Sequence, residues 1–313
     1  MTNHSSKFVD FLGWLRSMLV IFRDESSMPN LINLTFALIT LFLTSRAQAF
    51  EPLNTDDVGT VKKGGNQIEM YFYSINKVNQ PTGPGQDISS PGTEFLGPGS
   101  TNSFPFTYTR GIAENVEIAI GTQYNATPRA SIYSPISNYT LNAKWRFLGE
   151  EGDNWGFAIK PILQFPDTKQ QQVVGFGQAA FNYGATFISS YYLNESLEAH
   201  INVGYMRSPY NVNYLNGGSA SPLRLNIYSA SIAPVWNVMD GLRLALDFGV
   251  QTNPPSTEQQ STMYGMLAAI IGLSKSVDFG ISMMRSGQNT GLVLVGNGPN
   301  STRLDTGITW RFD

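Results

Sequence analysis

The stretch Asn138-Tyr139-Thr140-Leu141-Asn142-Ala143-Lys144-Trp145-Arg146-Phe147-Leu148 alternates two kinds of side chain. Successive side chains of a β-strand point to opposite faces, so the stretch predicts a strand with one apolar and one polar, basic face. Its length is that of a tilted strand that crosses a membrane, about ten residues. The apolar face would carry Tyr139, Leu141, Ala143, Trp145 and Phe147, and the other face Asn142, Lys144 and Arg146.

About twelve segments have this strand character, and the connections between them alternate between tight turns and long loops. An up-and-down sheet with one short-turn rim and one long-loop rim has this alternation, as outer-membrane barrels do. We therefore predict an all-β fold, a transmembrane up-and-down antiparallel β-barrel of about 12 strands. The predicted strands are 67–76, 104–110, 116–124, 138–148, 155–165, 179–193, 197–206, 223–236, 242–251, 263–274, 277–285 and 303–312.

Composition agrees with a barrel in a membrane. Charged residues make up 14% of the 313 residues, against roughly 25% in soluble domains. After residue 50 no apolar run approaches the roughly 20 residues of a membrane-spanning helix. The chain has no cysteine, which excludes disulfides and thiolate metal sites, and its net charge of −3 gives no support to nucleic-acid binding.

The apolar faces are predicted to point to lipid, because an Arg or Lys there costs roughly 2–4 kcal/mol at the midplane. A soluble sandwich or lipocalin-like barrel, with the apolar faces inward, is the alternative. It is disfavoured because bulky side chains from twelve strands would overfill a small core. Segment 263–274 is apolar on both faces, and we expect it to pack against a plug or a neighbouring barrel.

Both ends of the chain carry signs of export. Segment 31–43 is apolar, and Ala47-Gln48-Ala49 is a small-x-small cleavage site, so 1–49 is predicted to be an export signal cleaved after Ala49. We expect that translation starts at Met28 or that the residues before it form an extended n-region of the signal; a retained inner-membrane anchor is the alternative. The last strand, from Asp305 to Phe312, has a polar-x-Gly-x-x-aromatic-x-aromatic pattern that resembles the signal read by the machinery that inserts outer-membrane barrels.

Segment 50–66 is predicted to be periplasmic and to precede the barrel of residues 67–313. It contains Thr55-Asp56-Asp57-Val58-Gly59-Thr60, followed by a Gly-rich turn and Gln67-Ile68-Glu69. We interpret Asp56-Asp57 before Gly59 as turn chemistry at the periplasmic rim, with a divalent-cation site as the alternative. These motifs resemble the putative outer-membrane transporters of the meta-pathway phenol-degradation family. The resemblance implies a barrel of about twelve strands, associated with uptake of aromatic or other small hydrophobic compounds.

The polar faces predict a lumen of mixed charge, in which acidic and basic groups pair and constrict a narrow pore. The loop from Lys77 to Ser103 either folds into this lumen or stays outside. The lumen-lining candidates are Glu69, Glu117, Lys144, Arg146, Lys160, Glu198, His200, Arg224, Arg243, Asp247, Asp278, Arg303, Asp305 and Arg311.

We predict a passive channel of the bacterial outer membrane, with both termini periplasmic, for small solutes that include hydrophobic or aromatic ones. Its expected partners are outer-membrane lipid, lipopolysaccharide, the insertion machinery and the solute, with no cofactor and no nucleic acid. A structural or surface-interaction barrel is the alternative. A hydrolase is less favoured, because the single histidine after residue 49, His200, is expected to face inward without the serine partner that outer-membrane phospholipase uses.

Overall fold

The structure is a computed structural model that describes residues 52–78, 100–126, 134–150, 153–208, 226–252, 261–288 and 300–313. Within these ranges twelve antiparallel strands form a closed barrel, in which sequence neighbours pair and β1 closes on β12. The predicted fold class is confirmed. The strands are β1 (Asn66–Val78), β2 (Thr101–Ala113), β3 (Val116–Ala126), β4 (Ile136–Leu148), β5 (Trp155–Gln164), β6 (Asn182–Asn194), β7 (Leu197–Arg207), β8 (Asn226–Met239), β9 (Leu242–Thr252), β10 (Ser261–Gly272), β11 (Val277–Gln288) and β12 (Asn300–Phe312).

The alternation of side chains sets the two surfaces of the barrel wall. On the outer surface Ile120 is 54% exposed and Trp145 is 50% exposed. Glu117, three positions before Ile120, and Lys144, next to Trp145, are buried inside. An apolar outside and a polar inside are the arrangement of a barrel in lipid, and the reverse of a soluble barrel.

The five tight turns lie at one rim, together with the first residue of β1 and the last of β12, since Asn66 pairs with Phe312. Gly149 and Gly241 adopt positive φ in two of these turns. Exposed aromatic side chains ring this rim, among them Trp155, Tyr191 and Trp310. The long connections lie at the opposite rim. Residues 79–99 of the loop predicted from Lys77 to Ser103 fall outside the described residues, as does the predicted export signal.

One long connection, between β5 and β6, turns into the lumen. It contains helix α1 (Lys169–Val174), which a capping box between Thr168 and Gln171 begins and Gly175 in the left-handed conformation ends. Beyond the helix, Phe176 is buried against the inward side chains Tyr71, Tyr73 and Ile75 of β1. No helix among the described residues has the length and apolar character needed to cross a membrane.

Residues 52–61, hereafter the plug, lie inside the lumen. Their backbone and side chains bond to inward-facing groups of the wall. This part of the segment 50–66 therefore lies inside the barrel, and its periplasmic placement stays a prediction. The Asp56 carboxylate meets the ammonium groups of Lys144 and Lys160 inside the barrel, and these groups stabilise its charge there.

Candidate functional site

The plug begins with an apolar contact. Leu53 packs in a buried cluster formed by the inner faces of β8 to β11, which includes Tyr264, Met266 and Ala268 of β10. This explains why β10 is apolar on both sides: one face meets lipid and the other covers the plug. Of the two partners expected for β10, the plug is the one found.

The next two residues bind a single carboxylate. Asp247 of β9 is fully buried and accepts hydrogen bonds from Asn54 N at 2.7 Å, Thr55 N at 2.9 Å and Thr55 Oγ1 at 2.7 Å. Tyr264 also donates its hydroxyl to Asp247, at 2.8 Å. Tyr264 can lie there because it crosses Gly249, where any Cβ would collide with its ring. Backbone and side-chain donors together thus satisfy a buried charge.

Two lysines hold the acidic pair of the plug. Lys144 Nζ lies 3.2 Å from Asp56 Oδ1, 3.6 Å from Asp57 Oδ1 and 3.4 Å from Glu117 Oε1. Lys160 Nζ lies 2.7 Å from the other oxygen of Asp56, Oδ2. The Asp56 carboxylate therefore bridges neighbouring strands β4 and β5.

Burial alone would raise the pKa of Asp56, but the ammonium groups of Lys144 and Lys160 outweigh it and hold this pKa well below its ordinary value. The pKa of Asp57 is raised, first because the group is buried and further because Asp56 and Glu117 lie near it, although Lys144 acts in the opposite direction. The two adjacent carboxylates therefore differ: Asp56 is the firmly ionised anchor.

The rest of the plug crosses to the far wall. Val58 packs on Ala158 and Ile188, and a Cβ on Gly156 would lie 3.0 Å from Val58 Cγ2. Val61 N donates to Glu117 Oε2 at 2.6 Å. Glu117 is on β3 and Asp247 on β9, which are six strands apart in either direction around the ring. The plug therefore spans the lumen from one side to the other.

A serine and the histidine form a pair beneath the plug. Ser190 Oγ lies 2.7 Å from His200 Nδ1, and Val58 N donates to the same hydroxyl at 3.1 Å. Both residues are fully buried. The expectation that His200 has no serine partner is therefore wrong, since strand pairing sets Ser190 opposite His200. With the plug docked, the hydroxyl is covered by Val58 and has no room for a substrate.

A polar cavity of about 380 Å³ lies beside the plug. Glu69 faces it and accepts a hydrogen bond from Gln67 at 3.0 Å. Among the described residues, no ammonium or guanidinium nitrogen is within ion-pair distance of Glu69. Most of the lining is polar, with Asn142, Asn202 and Gln251 beside the charged groups.

The other candidates form contacts within the wall. Asp278 pairs with Arg243 at 3.5 Å and with Arg311 at 3.0 Å. Arg303 is bound to Asp305 at 2.8 Å, lies 4.5 Å from the centre of the Tyr73 ring and donates to Asn54 Oδ1 of the plug at 3.0 Å. Arg146 reaches the carbonyl of Glu114 at 3.4 Å, and Glu198 is half-buried on β7. Arg224 lies outside the described residues.

The β5–β6 connection closes the lumen further toward the long-loop rim. Ser137 Oγ donates to the Phe176 carbonyl, and Gln171 Nε2 donates to the carbonyls of Ser134 and Ile136. Ser208 Oγ donates to Gln178 Oε1. The Asp167 carboxylate accepts from Asn138 N at 3.2 Å, and Phe176 packs with Tyr73. Amide and hydroxyl groups and this one carboxylate fix the connection.

Sequence reasoning missed the polar groups that receive the plug, namely Ser190, Asn202 and Ser231. Ser231 Oγ lies 2.7 Å from Thr55 Oγ1 and donates to it, because the single proton of the Thr55 hydroxyl is given to Asp247. Asn202, with its amide turned to suit, accepts from Asp56 N at 2.6 Å and donates to Asp56 O at 2.9 Å. Small polar side chains are ordinary on a lumen face, and nothing in the local sequence indicated that these three share a partner.

The fold is similar to that of solved outer-membrane proteins. An outer membrane channel from Pseudomonas putida F1 superimposes with a TM-score of 0.56 at 15% identity, over 81% of this chain and 98% of the other. The NanC porin gives 0.48 at 9% identity, over 77% and 98%. The KdgM porin gives 0.46 at 7% identity, over 79% and 99%.

No family model matches the chain, and no curated protein matches it. The expected likeness to outer-membrane channels is confirmed at the level of the fold. Nothing in the comparisons ties the chain to phenol degradation.

Proposed function

We propose that the protein is a passive channel of the bacterial outer membrane whose lumen is closed by its own plug and opens when the plug leaves. One observation carries the proposal: residues 52–61 cross the lumen from β9 to β3 without entering the hydrogen-bonded wall. Plug release therefore breaks no strand pairing. A closed wall around a removable segment is the arrangement of a gated pore rather than of a rigid structural barrel.

Three features support placement in the outer membrane: the apolar outer surface of the barrel, the predicted export signal and the C-terminal pattern from Asp305 to Phe312. By the usual asymmetry of such barrels, the short-turn rim and both termini face the periplasm, and lipopolysaccharide surrounds the long-loop side. The plug would then leave toward the periplasm, where its chain already joins β1.

The solutes we propose are small, since a cavity of about 380 Å³ is the free space beside the plug. Its mostly polar lining favours polar solutes. Aromatic or small hydrophobic solutes, implied by the family resemblance, are a second candidate, favoured by the ring of Tyr73, which lines the cavity and packs in a buried cluster with Tyr71 and Phe176.

Conductance in planar bilayers tests the channel. We expect low conductance for the full chain and a large increase on deletion of residues 52–58. The matched control is a disulfide that holds the plug in place. Thr55 Oγ1 lies 2.7 Å from Ser231 Oγ, so Thr55→Cys with Ser231→Cys should form a disulfide. It would be the single disulfide of the protein, because the chain has no cysteine. Oxidised, this variant should stay closed, and reduction should restore the behaviour of the full chain. A folded deletion variant that does not conduct would contradict the proposal.

A further inference from the structure

The inner surfaces of β4, β5 and β7 bind one acidic residue of the plug, Asp56. Each polar group of Asp56 has a partner on these strands. Its carboxylate oxygens each meet a different ammonium group, Lys144 at 3.2 Å and Lys160 at 2.7 Å. Its peptide N–H and C=O both face the side-chain amide of Asn202. Three strands of the wall thus contribute one recognition site for a carboxylate next to an amide.

Release of the plug would leave these groups without their ligand. Lys144 would keep the Glu117 carboxylate, 3.4 Å away. Lys160 has no second carboxylate within 4 Å among the described residues, and 31% of its side chain is already exposed. An ammonium group in a narrow lumen without a counter-charge attracts an anion.

We propose that Lys144, Lys160 and Asn202 form the solute-binding site of the open channel, that its solutes are small carboxylates, and that Asp56 occupies the site in their place when the channel is closed. The inference rests on the proposed function and names its substrate class. A carboxylate solute and Asp56 cannot occupy the two lysines together, so the solute competes with the plug and favours the open state.

Carboxylates suit this site better than inorganic anions because the site contains an amide beside the two lysines. The two lysines supply charge to any anion, whereas Asn202 offers a donor and an acceptor to a neighbouring amide or similar group. The preferred solute therefore carries a carboxylate two or three bonds from a hydrogen-bonding polar group, as Asp56 itself does.

The test uses N-acetyl-aspartic acid α-amide, which reproduces Asp56, and its neutral isostere N-acetyl-asparagine α-amide. Binding to the variant lacking residues 52–58 is measured by calorimetry in detergent, and current block is measured in bilayers. We expect binding and block by the aspartic compound, and at least about fivefold weaker effects of the asparagine compound, because the charge-assisted hydrogen bonds are lost.

Lys160→Gln in the variant lacking residues 52–58 should weaken binding of the aspartic compound by about fivefold to tenfold. Lys275→Gln, which makes the same charge change in an exposed turn at the rim, should leave binding unchanged. Equal binding of the two compounds, or an equal effect of both substitutions, would overturn the inference. Binding without conductance would contradict the proposed channel alone, and conductance without selective binding would contradict this site alone.

Discussion

Two segments enter the lumen of this barrel, and they are held there by different forces. The plug is fixed by charges, through Asp247, Lys144 and Lys160. The β5–β6 connection is fixed by the apolar contact of Phe176, by hydrogen bonds such as those of Gln171, and by Asp167, which accepts from the backbone rather than from a lysine. Within the described ranges, the connection has a strand at each end, whereas the plug joins a strand, β1, at its carboxyl end alone. The difference indicates that the connection narrows the pore permanently and that the plug is the moving part.

The largest effect should come from Asp247→Ala. The substitution removes the acceptor of three plug donors and should weaken docking by about 3–5 kcal/mol, as loss of one partner does in a buried charged network. The open probability in bilayers should rise steeply. Asp240→Ala, in an exposed turn, is the control. A channel that stays closed in the Asp247 variant would place the main attachment of the plug elsewhere.

A double-mutant cycle of Asp56→Asn and Lys160→Gln measures the second attachment. The coupling energy should be only about 1 kcal/mol, because the Lys160 side chain is partly exposed and solvent screens the pair. It is obtained from the open probabilities of the four proteins. Zero coupling would mean that Lys144 alone holds Asp56.

Phe176→Ala tests the other segment. Truncating a buried Phe typically costs about 3–5 kcal/mol, and hydrogen exchange of the β5–β6 connection should become faster. Conductance should nevertheless change little, because the plug still crosses the lumen and the hydrogen bonds of Ser137 and Gln171 remain. An open channel in this variant would make the connection, not the plug, the gate.

The barrel wall could be predicted from sequence because its signals are local. Alternation in β4 and turn residues such as Gly149 and Gly241 act within a few positions of the chain. The apolar residues on both faces of β10 likewise predicted that its inner face is covered. The plug could not be placed, because its partners are distant in sequence: Thr55 meets Asp247 after 192 positions. Alternation assigned Lys144 and Lys160 to the polar faces but carried no information on which carboxylate they bind.

The smallest change in conductance should be the one caused by lowering the pH. Because the pKa of Asp56 is lowered in the docked plug, its contribution to docking is present above its ordinary pKa, about 4, and is lost only as the pH falls through the lower, docked value. The pKa of Asp57 is raised on docking, so docking takes up a proton and is favoured as the pH falls. The pKa shifts of Asp56 and Asp57 therefore both predict that the plug stays docked between pH 7 and about 4.5. Wild-type conductance should therefore not rise over this interval, and the oxidised Thr55→Cys, Ser231→Cys protein supplies the closed baseline. An increase on acidification would show that groups of the wall, rather than the two aspartates of the plug, control its release.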